Sequence, residues 1–123
     1  MAFSVEIAPQ AFDDLDSIAG FIQANSSFAV AERWFNGIVT DIGSLREMPA
    51  RCPVAPESDE LGREVRILHH GRRKRTYKIY YEIEYVTPAQ GRVLVFHVRH
   101  WARKPLVDDE LQDLIDEMED DEQ

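Results

Sequence analysis

Residues 76–86, TYKIYYEIEYV, alternate so regularly that they constrain everything around them. On an extended chain Tyr77, Ile79, Tyr81, Ile83 and Tyr85 fall on one face, and Lys78, Tyr80, Glu82 and Glu84 on the other, because strand side chains have period two. The stretch TPAQG follows, then RVLVFHVRH, which predicts a hairpin of two long strands. A two-stranded ribbon with one apolar face is marginal alone in water. Its apolar side needs a cover, and the rest of the chain has to supply it.

Upstream, FSVEIAP alternates Phe3, Val5 and Ile7 with polar or small residues, which predicts an opening strand that ends before Pro9. Phe12, Leu15, Ile18, Ala19 and Ile22 recur at helical spacing over residues 9–24, with Pro9 suited to the first turn and Asp13 and Asp14 near the positive end of the helix dipole. Ser26 or Ser27 can cap a second helix, whose apolar stripe of Ala31, Trp34, Phe35, Ile38, Ile42 and Leu45 runs until Pro49. Residues 49–62, PARCPVAPESDELG, read as an ordered but irregular connector, and EVRIL as a short strand. The predicted architecture is α+β: an antiparallel four-stranded sheet in the order β-α-α-β-β-β, packed on a helical hairpin that covers one face. The other face is left to bind something. A single domain over residues 1–106 is expected to be followed by an acidic C-terminal helix or tail over residues 107–123, where Leu111, Leu114, Ile115 and Met118 form a narrow apolar stripe.

Charge is segregated along the chain, and the formal net charge of -9 hides it. Residues 1–62 carry 3 positive and 10 negative side chains, residues 63–104 carry 11 and 3, and residues 105–123 carry none and 10. Fields are screened beyond about 8–10 Å at ordinary salt, so the cationic block can attract an anion even on an acidic protein. No stretch nears the roughly 20 apolar residues of a membrane span, and MAFSVEIAPQ has neither a basic start nor a long apolar run. A cytoplasmic location without membrane contact is expected. One cysteine, Cys52, allows no internal disulfide and no zinc pair, so no metal or cofactor is expected. Phosphate-binding glycine loops and nucleophile elbows are also missing.

The succession SVEIAPQAFDDLDSIAGFI, AERWFNGIVTDIGSLREMP, ELGREVRIL, KIYYEIE and VLVFHVRHWARKPL resembles the RelE/ParE family of toxins from bacterial type II toxin-antitoxin pairs. The resemblance spans residues 3–106. It implies an antitoxin partner and growth inhibition by one of two routes: poisoning of DNA gyrase, as in ParE-like members, or cleavage of messenger RNA on the ribosome, as in RelE-like members. Metal-free RNA cleavage needs a proton acceptor, cations for the charged phosphorane and an acid for the leaving oxygen. Carried over from RelE-like members, those roles fall on Arg66, Lys78, His100 and Arg103. The C-terminal tyrosine of the namesake branch has no counterpart, since no tyrosine follows Tyr85, and the ending HWARKP is similar to that of ParE-like members. The gyrase route is therefore expected ahead of the nuclease, with a non-toxic interaction module on the same scaffold as the third reading.

For binding, Arg72, Arg73, Lys74, Arg75, Tyr80 and Trp101 are the candidates, with Tyr80 expected to be an exposed aromatic and Tyr77, Tyr81 and Tyr85 core. A solvated turn would hold residues 72–75 equally well. Arg66 and Lys78 are expected to project outward from their strands, where ion pairs with Glu64 and Glu82 would serve as well as catalysis. His97 and His100 are expected on opposite sides of the last strand, His97 hydrogen-bonded. The acidic tail is suited to fold back on the cationic sheet and shield Arg66, Lys78 and Arg103. The alternative is a solvated tail that aids solubility. Self-association as a homodimer is left open.

Overall fold

The computed structural model describes residues 2–100. Strand β1, Phe3–Ile7, leads through Ala8 into helix α1, Pro9–Asn25, with Pro9 in its first turn. Helix α2, Phe28–Gly43, is capped by Ser27, whose side-chain oxygen accepts from the Val30 amide at 3.1 Å. Two 3₁₀ turns, Ser44–Arg46 and Pro49–Arg51, and a single-turn helix α3, Ser58–Leu61, fill the connector. Strands β2, Arg66–His70, β3, Tyr77–Thr87, and β4, Gln90–His100, complete the chain order expected for an α+β fold.

The sheet order is β1-β4-β3-β2. β2, β3 and β4 run antiparallel, but β1 lies parallel to β4, with Val5 beside Val93 and Ile7 beside Val95. The sheet is therefore mixed rather than wholly antiparallel. The helical hairpin carries the chain from β1 across to β2 at the opposite edge, and β3 and β4 then bring it back so that β4 lies beside β1. Gly91, opposite both Phe3 and Tyr85, permits the close approach at that end: a Cβ there would collide with the Glu84 carbonyl.

Helix stripes and sheet meet in one core. α1 buries Ala11, Leu15, Ile18 and Ile22, and α2 buries Val30, Ala31, Trp34, Ile38 and Ile42, against Tyr77, Ile79, Tyr81, Val93, Val95 and Val98. Each fully buried Leu or Ile contributes about 1.5–3 kcal/mol, and that burial is what holds the hairpin flat against the helices. Phe12, expected in the α1 stripe, is exposed instead, and Ala11 takes the buried position one residue earlier.

A bulge changes which residues of β4 face the helices. Tyr80 pairs with His97 and Tyr81 with Val95, so Phe96 is an extra residue on β4. Val93 and Val95 are buried before it, Val98 and His100 after it. An unpaired residue in one strand shifts its alternation by one, and here it turns His97 away from the core and His100 into it.

Candidate functional site

The face of the sheet turned away from the helices is only partly covered. Connector residues Ala55 and Val65 close over Ile67, Tyr80 and Phe96 to form a second small core. A short antiparallel bridge, Val54 to Arg66, seats the connector along β2. The Tyr80 hydroxyl donates to Glu57 at 3.0 Å, and Arg63 lies 5.1 Å over the Phe96 ring while pairing with Glu82 at 3.1 Å. Tyr80 is thus 4% exposed, not the exposed aromatic expected of it; Tyr85, expected in the core, is 52% exposed near the hairpin tip. The connector lies over the centre of the far face, whereas Tyr85 near the end of β3 meets the Phe3 ring edge-on at 5.9 Å and otherwise lines a surface groove.

Toward the β2–β3 turn the same face carries exposed His69 and half-buried Lys78 and Arg99. In the strand register His69 stands beside Lys78 and Lys78 beside Arg99, so three basic side chains on three strands form one transverse row. No carboxylate residue occupies this row of the register. Adjacent strands are about 4.8 Å apart, so the row spans roughly 10 Å. The Arg99 guanidinium stacks 5.9 Å over Tyr80, which fixes its end of the row. The turn beyond adds exposed Arg72 and Arg73. Gly71 (φ 93°) makes that turn possible, since a Cβ there would strike the Arg75 carbonyl, and Arg73 itself is held in the left-handed region (φ 56°).

Next to the row stands an oriented histidine. β1 ends where Ile7 pairs with Val95, so among the described residues β4 has no strand on that side over residues 96–100. Asp14 of α1 fills the gap: one carboxylate oxygen accepts from the Val98 amide at 3.0 Å and contacts His97 Nδ1 at 2.8 Å. The His97 ring lies 5.9 Å from that of Tyr80. Chemically, the assembly offers positive charge for anionic groups and one imidazole whose orientation a carboxylate fixes.

The opposite end of this face is balanced. Arg92 donates to Glu6 at 2.7 Å and to Glu84 at 2.9 Å, and these contacts raise its pKa still further. Around that end Phe3, Met48, Pro49, Tyr85, Pro88 and Ala89 line an apolar groove of about 560 Å³.

Of the residues assigned to RNA cleavage, the three within the described residues, Arg66, Lys78 and His100, are not brought together. Arg66 belongs to the helix-facing register of β2, opposite Tyr81, while Lys78 faces the other way. Its guanidinium donates to the Cys52 carbonyl at 2.6 Å and the Ala50 carbonyl at 3.2 Å, and pairs with Glu64 at 3.2 Å. It therefore clamps the connector. His100 is 4% exposed and edge-on to Tyr77 at 5.7 Å. Arg103 and Trp101 lie outside the described residues, as does the tail. Arg72, Arg73, Lys74 and Arg75 occupy the turn as expected, Arg75 half-buried. His70, also helix-facing, pairs with Asp41 of α2.

Burial pushes the phenols of Tyr77 and Tyr81 well above the usual tyrosine range, and for Tyr81 the neighbouring Cys52 adds to the shift. Both stay protonated at neutral pH. The Tyr81 hydroxyl donates to the Pro49 carbonyl.

Residue-by-residue reading of the sequence missed His69 and Arg99. The signal was there: LHH and VRH each place a basic residue on the parity of Lys78, but only the pairing register aligns them. Among the described residues no helix is long and apolar enough to cross a membrane.

Comparison with known proteins follows the fold. The family described as "ParE toxin of type II toxin-antitoxin system, parDE" matches residues 5–105. A solved structure described as the chromosomal ParDE TA system from P. aeruginosa has the same fold, with a TM-score of 0.63 and 16% identity over 80% of this chain and 96% of that chain. No curated protein matches the sequence.

Proposed function

The chain belongs to the ParE toxin family of type II toxin-antitoxin systems, and from that premise we propose that it arrests growth in the cytoplasm by binding DNA gyrase, with a cognate antitoxin as its neutralising partner. The observation that carries this reading is the ParE family match, which runs from β1 to beyond the end of β4. The geometry supports it. Arg66, Lys78 and His100, which the nuclease route would need together, are respectively clamped to backbone carbonyls, half-buried on the far face and buried on the near one. The residues proposed to meet the target are His69, Lys78 and Arg99, with Arg72 and Arg73 at the turn. Lysine and arginine charges gathered on one face strengthen and steer the approach of an acidic macromolecule.

Induced expression in a bacterial host tests the reading. Gyrase as target predicts chromosome damage and an SOS response with transcripts intact. Ribosome-dependent transcript cleavage without DNA damage would overturn it in favour of the nuclease, and normal growth in favour of a non-toxic interaction module.

A further inference from the structure

The basic row has a complementary segment in the same chain. Residues 105–123 carry ten carboxylates and no basic side chain, and the first of them, Asp108, follows Arg99 by only nine positions. An extended chain covers at most about 3.3–3.6 Å per residue, so that linker reaches roughly 30 Å, three times the width of the row. The far face also discriminates along its length. At the hairpin tip Arg92 is already bracketed by Glu6 and Glu84, and at mid-face Arg63 pairs with Glu82. Among the described strand rows, the one composed wholly of basic residues, His69, Lys78 and Arg99, is at the end where β4 finishes.

We propose that residues 107–123 dock on the His69, Lys78 and Arg99 row as an intramolecular polyanion. The segment thereby occupies the face that the toxin would otherwise present to an acidic partner, and any such partner must displace it. Tethering gives the segment an effective concentration near millimolar, so an intrinsic dissociation constant of about 0.1 mM suffices to keep the row occupied about nine-tenths of the time. The contact is electrostatic and partly exposed, so it weakens as the screening length falls from about 10 Å at 0.1 M salt to about 3 Å at 1 M. The proposal is independent of which cellular target the toxin meets, and its test reads binding on the purified chain.

A synthetic peptide of residues 107–123 is titrated onto two forms of the full chain: the native protein and one whose ten tail carboxylates are changed to amides, Asp108→Asn through Glu122→Gln. The peptide is expected to bind the amide form about tenfold more tightly than the native one, since only the native tail competes. In the amide background Lys78→Glu with Arg99→Glu should weaken binding at least tenfold, whereas Arg92→Glu should leave it within twofold. Equal affinity for both forms, no binding to either, or equal losses at Arg92 and at the row would each overturn the proposal. If the charge reversal unfolds the chain, Lys78→Gln with Arg99→Gln replaces it, with a loss of at least threefold expected and an unchanged affinity contradicting.

Discussion

Arg66→Met separates a structural arginine from a functional one. Methionine retains much of the aliphatic stem and removes the guanidinium that donates to the Cys52 and Ala50 carbonyls at 2.6 and 3.2 Å. The side chain is 18% exposed, so the two carbonyls lose a charged donor in a place that water reaches poorly. Hydrogen bonds to charged groups contribute about 1.5–3 kcal/mol each, and the longer of these two is the weaker. The ion pair with Glu64, itself 61% exposed, adds little. Allowing for partial rehydration, the loss is about 2–3 kcal/mol. For a domain of this size that lowers Tm by roughly 8–12 °C. Thermal unfolding followed by circular dichroism measures it, and Arg66→Lys should fall between the two because one ammonium reaches fewer acceptors. A Met variant with native Tm and no toxicity would refute the reasoning, since it would make Arg66 a residue of the functional surface.

Three further outcomes rest on other parts of the structure. Asp14→Ala leaves the Val98 amide without its acceptor at the free edge of β4 and should destabilise by about 1–3 kcal/mol, with Asp14→Asn, which keeps an acceptor oxygen, losing less in the same denaturant titration. Gly91→Ala forces a Cβ against the Glu84 carbonyl and should cost about 1–3 kcal/mol, visible as a lower denaturant midpoint and a weakened pairing of β1 in hydrogen exchange. The buried Tyr77 hydroxyl has no hydrogen-bond partner among the described residues, so Tyr77→Phe should leave Tm unchanged or raise it. The same burial sets an alkaline limit: the folded phenol pKa lies above the unfolded value near 10, so the unfolded chain loses its proton first. Stability is flat below about pH 9 for this group and falls above pH 10 by up to about 1.4 kcal/mol per unit, a slope that Tyr77→Phe should reduce.

Much of this architecture can be read from the sequence. The alternation of residues 77–85, the two helical stripes and the Ser27 cap are local signals, and they appear where period and capping chemistry put them. The parallel pairing of β1 is not local: nothing in FSVEI says which neighbour it will take, and the antiparallel expectation failed there. EVRIL also ends two residues early, since β2 runs on through His69 and His70. Extending it would have supplied one of the three members of the row. The bulge at Phe96 had a similar effect at greater cost. A strict alternation from Val93 and Val95 would continue with His97 in the core, whereas the structure buries Val98 and His100. Charge segregation identified the right third of the chain, but it pooled Arg66 with Lys78 although the sheet sends them to opposite faces. Tyr80 is buried because the connector covers mid-sheet, whereas Tyr85 lies beyond that cover, and an irregular segment carries no periodic signal of where it will lie.

A DNA supercoiling assay with purified gyrase bears most directly on the claim that this toxin acts on gyrase through the far-face row. Native protein should inhibit supercoiling or trap gyrase on cleaved DNA, and a folded Lys78→Glu, Arg99→Glu variant should need at least tenfold more protein for the same effect. Gyrase untouched by the native chain while ribosome-bound message is cut, or inhibition undiminished in the double variant, would contradict the account.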